Sequence, residues 1–229
     1  MRIETLFLDA GGVLIFPNWT RVSEALARRG VAADPRALAA AEPHVKRQID
    51  IQHTIATTDD DRRGWLYFDL ILERLGIQPS AETGAAMREL YEYHQRMNLW
   101  EYVPDGVEAA LADLRILGLR LVVVSNTNGR LTELFERLGL ASYFDCLIDS
   151  FLEGVEKPDR RLFEIALAKS GARADSTRHV GDLYYVDVMG ARAAGLSAVL
   201  YDAADLYPEC DCPRVRSLGE LVQMLQAER

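Results

Sequence analysis

The sequence predicts an α/β protein in which a parallel β-sheet, covered by helices on both faces, is interrupted after its first strand by a long helical insertion. Two observations predict this class. Short apolar segments alternate with stretches whose apolar residues recur three and four positions apart, and one long stretch lacks a convincing strand. The predicted strands are residues 3–9, 119–126, 146–150, 177–182 and 196–202, of which 146–150 is the weakest.

The first predicted strand, "IETLFLD", is apolar up to Asp9 and is followed by Ala10, Gly11 and Gly12. A strand buried on both faces of a parallel sheet is typically a continuous apolar run. The single carboxylate at its end therefore calls for an explanation other than burial in the sheet.

The helical insertion carries the start and stop signals of helices. Asp34 before Pro35 and Ser80 are favoured helix starts, and Gly76 is a favoured helix end. About four helices are therefore predicted in this segment. The predicted division of the chain is a core of residues 1–16 and 99–229 and a helical domain of residues 17–98.

After the insertion, helices and strands alternate again. The stretch "GVEAALADLRILG" precedes the second predicted strand, and "PDRRLFEIALAKSG" precedes the fourth. Both have apolar residues at helical spacing. They are predicted to be the crossover helices that parallel strands require.

Composition excludes two classes of partner. The 229 residues carry a formal net charge of −9, and their basic residues are scattered, whereas nucleic-acid affinity depends on clustered Lys and Arg. No apolar run is long enough to span a bilayer, and the N-terminus lacks the pattern of a signal peptide. We therefore expect a cytoplasmic protein that binds neither nucleic acid nor membranes.

The three cysteines do not predict a disulfide framework, because their number is odd and no export signal is evident. Cys146 lies in an apolar segment and is expected in the core. Cys210 and Cys212, in "PECDCP", could coordinate a metal ion, but a tetrahedral zinc site needs two further ligands. They are interpreted as free thiols in a surface loop.

Polar residues follow several predicted strands at the edge where ligands bind in open parallel sheets. Asp9 ends the first strand, Ser125 ends the second, and Asp182 ends the fourth. Asp187 follows Asp182 after four residues. Lys157 lies in a loop before a helix whose first turn is expected to hold Pro158. Singly, each has an ordinary explanation as a turn former, a helix cap or a solvated charge. Together, crowded carboxylates need a cation, and oxygen ligands with a nearby phosphate suit Mg²⁺.

Four short motifs carry a family resemblance, and they occur in order: "DAGGVL" from Asp9, "VVVSN" ending at Ser125-Asn126, "EKPDRRLF" with Lys157, and "GDLYYVDVMGARAAG". In these motifs the chain resembles the haloacid dehalogenase-like hydrolase superfamily, and the insertion resembles its α-helical C1 cap. The resemblance implies a Rossmann-like core with an inserted cap domain. It also implies a small phosphorylated molecule as the substrate.

The resemblance implies that Asp9 attacks phosphorus and forms an aspartyl-phosphate that water later hydrolyses. A carboxylate is ionised at neutral pH and needs no base to activate it. Mg²⁺ is expected to be held by Asp9, the backbone carbonyl of Gly11 and Asp182, with Asp187 ordering metal-bound water or Lys157.

The resemblance also implies how the substrate is held. Ser125 and Lys157 are expected to stabilise charge on the transferring phosphoryl group. Gly11, Gly12 and Asn126 are expected to bind substrate at the same loops. The helical cap is expected to close over the substrate and exclude water.

Gly11 departs from the family pattern. The family's phosphatases carry a second Asp at this position, which protonates the leaving oxygen and later activates water. Glycine retains the carbonyl but not the acid, and such acid–base help is worth about 10²- to 10⁴-fold in rate. Substrates with good leaving groups, such as acyl phosphates, aryl phosphates or pyrophosphates, are expected to lose the least rate.

Three hypotheses follow from Gly11. The first is a Mg²⁺-dependent phosphatase that is slow, selective or supplied with a proton donor from the helical domain, for which Glu42, His44 and His53 are candidates. The second is a 2-haloacid dehalogenase, whose halide needs no proton, although dehalogenases lack the acid retained here as Asp182. The third is a weakly active member of the fold that binds a ligand or partner.

Overall fold

The computed structural model describes residues 2–51 and 60–229, with the side chains of residues 60–65 left aside. The chain forms two compact units, Met1–Phe16 with Val103–Arg229, and Pro17–Tyr102. The sequence-based boundary after residue 98 thus lies slightly before the point at which the structure returns to the first unit. Among the described helices, none is both long and apolar enough to cross a membrane.

Strands and helices are numbered in chain order. The strands are β1 (Thr5–Leu8), β2 (Phe16–Pro17), β3 (Trp100–Tyr102), β4 (Arg120–Ser125), β5 (Cys146–Asp149), β6 (Thr177–Gly181), β7 (Ser197–Tyr201) and β8 (Arg214–Val215). The α-helices are α1 (Trp19–Ala27), α2 (Pro35–Ile49), α3 (Asp60–Arg74), α4 (Ala81–Met97), α5 (Val107–Ile116), α6 (Leu131–Arg137), α7 (Ser150–Glu153), α8 (Arg160–Ser170), α9 (Met189–Ala193) and α10 (Leu218–Ala227).

The first unit is built on a six-stranded parallel sheet with the order β5-β4-β1-β6-β7-β8. The α/β prediction is therefore confirmed, and all five predicted strands are present. The sequence missed β8, because a strand of two residues gives no apolar run to detect. Pro158 lies before α8 rather than in its first turn, since Asp159 is the N-cap of that helix.

The register of the sheet brings the ends of its central strands together. Leu8, the last residue of β1, lies beside Val123 of β4 and Val180 of β6. All of these strands run in one direction, so the residues that follow them emerge at the same edge. Asp9, Ser125 and Asp182 are the residues placed there.

The second unit contains helices α1 to α4 in its described part, around an apolar cluster that includes Leu26, Leu38 and Ile71. The predicted helix starts are present: Asp34 caps α2, which begins at Pro35, and Ser80 caps α4. The segment after α4 forms β3, which pairs with β2 and was not among the predicted strands. These strands are too short to leave an alternating pattern in the sequence.

Candidate active site

Asp9 directly follows β1, and its oxygen Oδ1 is approached by three donors. Ser125 Oγ donates to it at 2.7 Å, and the backbone N–H of Ala10 donates at 2.7 Å. Lys157 Nζ lies 2.9 Å from the same oxygen. Among the described residues no donor is recorded for Oδ2. This arrangement fixes one carboxylate oxygen and leaves the other for a ligand.

Lys157 joins Asp9 to a second carboxylate deeper in the protein. Its Nζ lies 2.7 Å from Asp187 Oδ1, and both side chains are fully buried, with 1% and 0% exposure. Asp187 Oδ2 accepts the backbone N–H of Leu183 at 3.0 Å. Both oxygens of Asp187 therefore have protein donors, and the lysine is held from two sides.

His179, on β6, extends this chain of contacts into the core. Its Nε2 lies 3.0 Å from Asp187 Oδ1, and because a carboxylate only accepts, Nε2 carries the proton of this hydrogen bond. The ring is fully buried and packs edge-on against Phe163. Nδ1 has no hydrogen-bond partner in the described part of the chain. His179 thus donates one hydrogen bond, to Asp187, through Nε2.

The charges in this chain stabilise one another. Burial alone lowers the pKa of Lys157, but the carboxylates of Asp187 and Asp9 outweigh burial and raise that pKa above its ordinary value of 10.5. Burial alone raises the pKa of Asp187, but Lys157 and His179 outweigh it and lower the pKa below 3.8. Both groups therefore remain ionised across the physiological pH range.

Asp182 adds a third carboxylate. Oxygens of Asp9, Asp182 and Asp187 all lie within 4.8 Å of one another, and the three residues are buried. Among the described residues, Lys157 is the lysine in contact with this group, so the cluster has more negative than positive charge. The carboxylates of Asp9 and Asp182 suit a hard divalent cation such as Mg²⁺ or Ca²⁺, while Asp187, whose oxygens both accept protein donors, lies beside them. The donor set therefore fits the expected metal.

Glycine at position 181 makes room for Asp187. A Cβ built on Gly181 would lie 2.1 Å from Asp187 Cγ, a distance that real atoms do not tolerate. Asp187 itself belongs to a π-helical turn, Tyr184–Val188, a rare element often found at functional sites. The glycine before Asp182 is thus explained by packing against the second acid of the same motif.

The two glycines after Asp9 differ in their backbone. Gly12 has φ of +84°, which disfavours other residues, and its N–H donates to Ile15 O at 2.8 Å. Gly11 does not have a positive φ. The positive φ explains glycine at position 12, whereas no positive φ calls for glycine at position 11.

Asn126 positions the backbone of Lys157. Its Nδ2 donates to Lys157 O at 3.1 Å, and its Oδ1 accepts the Lys157 N–H at 2.8 Å. These reciprocal bonds hold the lysine loop against the end of β4. Contact of Asn126 with substrate stays a prediction.

Asp149, at the end of β5, orders the loop that follows Ser125. Its carboxylate accepts the backbone N–H groups of Gly129, Leu131 and Phe151 at 3.0–3.2 Å. Sequence reasoning did not identify Asp149 or His179 as parts of the site. For Asp149 the available signal was its position at the end of a predicted strand, and the structure pairs that strand with the one ending at Ser125. For His179 the signal was its place two residues before Gly181, but its role is evident only once the neighbouring strands of the sheet are known.

The candidate proton donors in the second unit have different surroundings. Glu42 is buried, accepts Trp19 Nε1 at 3.2 Å, and has Lys46 Nζ 3.1 Å away. His44 is exposed, and His53 lies outside the described residues. Glu42 therefore has structural partners within its own unit.

A family model described as haloacid dehalogenase-like hydrolase matches residues 3–195. The chain is 33% identical over 172 residues to the human haloacid dehalogenase-like hydrolase domain-containing protein 3, covering 72% of this chain and 67% of the relative. For the bovine counterpart the covered share is 54%, so the chain spans between half and two thirds of these relatives.

Other relatives are named for phosphatase activity. The chain is 32% identical over 160 residues to ribulose-1,5-bisphosphate 5-phosphatase of Halopiger xanaduensis, covering 68% of this chain and 65% of the relative. It is 36% identical over 163 residues to phosphoserine phosphatase of Thermus thermophilus, with 68% and 64% covered.

Solved structures share the fold at low sequence identity. The magnesium-bound HAD-hydrolase YfnB of Bacillus subtilis superposes with a TM-score of 0.71 at 17% identity, covering 98% of this chain and 99% of that one. Structures with this fold include an L-2-haloacid dehalogenase and a HAD phosphatase. The fold alone therefore does not choose between the two reactions.

Proposed function

The chain belongs to the haloacid dehalogenase-like hydrolase family, and we propose that it is a Mg²⁺-dependent phosphohydrolase that acts on a small phosphorylated molecule through an aspartyl-phosphate on Asp9. The observation that carries this proposal is the buried, charge-balanced chain Ser125–Asp9–Lys157–Asp187 beside a third carboxylate, Asp182. Relatives named as phosphatases support the choice of substrate class.

Asp9 is the nucleophile in this proposal. Its carboxylate oxygen bonds to phosphorus while the bond from phosphorus to the leaving oxygen breaks. Water then attacks phosphorus, which releases inorganic phosphate and restores the carboxylate. The donors on Oδ1 hold the carboxylate in one orientation, so Oδ2 can face the substrate without loss of side-chain freedom during the reaction.

Lys157 and Ser125 stabilise the charge of the transferring group. An ammonium has three N–H donors, and Asp9 and Asp187 account for two of those of Lys157. The third is available to a phosphate oxygen. Ser125, as a short hydroxyl beside the nucleophile, can turn its proton from Asp9 to the phosphoryl group.

Asp9 and Asp182 are the proposed metal ligands, together with the Gly11 carbonyl. A bound Mg²⁺ supplies Lewis-acid stabilisation of phosphate charge and offsets repulsion between the carboxylates. Asp187, whose two oxygens already accept protein donors, serves this site chiefly by holding Lys157. Gly12 and Asn126 are proposed to bind the substrate.

Gly11 restricts the substrate. Without an acid at this position, no side chain of the Asp9 loop protonates the leaving oxygen, so acyl and aryl phosphates are the proposed best substrates. Gly11 does not have a positive φ, so its backbone does not demand glycine. We therefore expect Gly11→Asp to relieve this restriction.

The test compares wild type, Asp9→Asn and Gly11→Asp on aryl, acyl and alkyl phosphates, with and without Mg²⁺. We expect Mg²⁺-dependent release of phosphate from aryl and acyl phosphates by wild type, none by Asp9→Asn, and alkyl-phosphate turnover raised about 10²-fold or more in Gly11→Asp. Asp175→Asn, at an exposed carboxylate paired with Arg173, is the matched control and should behave as wild type.

Two results would overturn the proposal. Inactivity of both wild type and Gly11→Asp on aryl and acyl phosphates would favour a binding role for the fold. Chloride release from 2-chloropropionate by wild type without Mg²⁺, abolished in Asp9→Asn, would favour the dehalogenase reaction instead.

A further inference from the structure

The loop between β7 and β8 brings two thiols together. The Sγ atoms of Cys210 and Cys212 lie 3.6 Å apart, with the Cys212 S–H directed at the sulfur of Cys210. Both side chains are half-buried and pack against a buried apolar cluster of the first unit that includes Phe7, Val124 and Leu200. The two sulfurs are in van der Waals contact, and an approach of about 1.5 Å brings them to the S–S bond length of about 2.05 Å.

The intervening residue, Asp211, is anchored from outside the loop. Tyr184 Oη donates to its carboxylate at 2.8 Å, and Arg192 Nη1 donates to it at 2.7 Å. Arg192 Nη2 also donates to the Asp211 carbonyl at 3.0 Å. These contacts hold the middle of the Cys-Asp-Cys sequence, so the two thiols face each other without further ordering of the backbone.

A second anchor, Asp202, shapes the start of the loop. Its carboxylate accepts the backbone N–H groups of Leu206 and Tyr207 at 2.8 and 3.0 Å and is 2.7 Å from Arg214 Nη1. The N–H of Cys210 then donates to Tyr207 O at 3.2 Å. The thiol pair is therefore built into a folded loop and is not an accident of two mobile side chains.

The two thiols differ chemically. Burial, and then the neighbouring Cys210, raise the pKa of the Cys212 thiol to about 12. Cys212 therefore keeps its proton at neutral pH and donates it toward Cys210. The Cys210 S–H in turn donates to the Cys212 carbonyl oxygen at 3.5 Å. Because Cys212 keeps its proton, we assign Cys210 as the attacking group and Cys212 as the resolving one.

A structural zinc site does not account for the pair. Zinc in such sites takes four ligands. In the described ranges 2–51 and 60–229, the one place where three metal-ligating side chains converge is the carboxylate cluster of the active site. The arrangement of two contacting thiols in one short loop instead fits reversible disulfide chemistry.

We propose that Cys210 and Cys212 form a redox-active dithiol that closes reversibly to a disulfide within the loop, by exchange with a small-molecule disulfide of the glutathione type. Cys210 loses its proton to solvent, and its sulfur attacks one sulfur of oxidised glutathione, breaks the S–S bond and releases one glutathione thiolate, which takes up a proton. Cys212 then loses its proton to solvent, attacks the Cys210 sulfur and releases the second glutathione. Two protein thiols are oxidised, and one glutathione disulfide is reduced to two thiols.

The experiment uses the full chain carrying Cys146→Ser, which removes the third cysteine on β5. The reduced protein is treated with oxidised glutathione, quenched with acid, alkylated and analysed by intact mass and peptide mapping. We expect both remaining thiols to become protected from alkylation, the peptide holding both cysteines to lose two hydrogen atoms, and dithiothreitol to reverse the change.

Single variants identify the two roles. Cys212→Ser, in the same background, should accumulate a mixed disulfide with glutathione on Cys210, whereas Cys210→Ser should form its adduct at least tenfold more slowly. Glutathione adducts without ring closure in the two-cysteine protein, a disulfide between chains, or equal adduct rates in the two variants would overturn the proposal. The readout is independent of hydrolase activity, so its failure leaves the proposed function untouched.

Discussion

Replacement of Lys157 by Met removes the one buried cation that separates Asp9 from Asp187. Its Nζ is 2.9 Å from one carboxylate and 2.7 Å from the other, and the lysine is 1% exposed. Loss of one partner from a buried ion pair leaves an uncompensated charge and costs about 3–5 kcal/mol. We expect Lys157→Met to lower the free energy of unfolding by about this amount, measured without metal.

The same variant has a defined pH dependence. The lowered pKa of Asp187 gives stability that is present above about pH 3.8 and lost as pH falls through the folded-state pKa. The raised pKa of Lys157 gives stability that is present below about pH 10.5 and lost as pH rises through its folded-state pKa. The difference between wild type and Lys157→Met should therefore be largest near neutral pH and shrink toward acid and alkaline pH. In the variant, burial opposes ionisation of Asp187 without its main counter-charge, so the decrease on the acid side begins above pH 3.8.

The assay is urea denaturation followed by far-ultraviolet circular dichroism, because all three tryptophans lie in the helical unit or its strand β3. Lys169→Met is the matched control. Lys169 is half-exposed and paired with Glu153 at 2.5 Å, so its loss should cost at most about 1 kcal/mol. Equal stability of the two variants, or a Lys157→Met deficit that does not vary with pH, would refute the reasoning.

Three further predictions concern the supports of the site. Gly181→Ala should cost about 1–3 kcal/mol in unfolding free energy and lower activity, because its Cβ overlaps Asp187; Gly84→Ala, in α4 with only the end of Arg88 3.5 Å away, should not destabilise the protein. His179→Leu should lower the free energy of unfolding by about 1.5–3 kcal/mol and change kcat more than KM. His179→Gln, which can still donate to Asp187, should restore part of the stability and part of kcat. Equal kcat in the two variants would exclude a positioning role for His179. Glu42→Gln should leave the rate of phosphate release unchanged, because its carboxylate is engaged with Trp19 and Lys46; a tenfold loss of kcat without loss of stability would instead make it a proton donor.

The sequence was informative where the signal is local. Apolar runs predicted β1 and β4 to β7, and capping residues such as Asp34 and Ser80 predicted helix starts, because those preferences act within a few residues. Strands β2, β3 and β8 exist because a neighbouring strand is available for pairing, and two or three residues leave no pattern of their own. The same distinction applies to the site.

At the site, residue type and position at strand ends were sufficient to group Asp9, Ser125, Lys157, Asp182 and Asp187. The parts that support these residues were not predictable in this way. His179 acts through a contact eight residues away, across a π-helical turn, and Asp149 acts through a loop on the neighbouring strand. Such partners depend on the register and packing of the sheet, which no short sequence pattern encodes.

The central claim is that Asp9 carries the phosphoryl group, and trapping that group tests it most directly. Without an acid–base residue at position 11, water attack on the aspartyl-phosphate should be slow, so the intermediate should accumulate with an acyl or aryl phosphate. Rapid acid quench and borohydride reduction convert an acyl phosphate to homoserine, which peptide mass spectrometry locates. We predict homoserine at position 9 in wild type with substrate, less in Gly11→Asp, and none in Asp9→Asn. Phosphate release by wild type with no homoserine at position 9 would contradict the account.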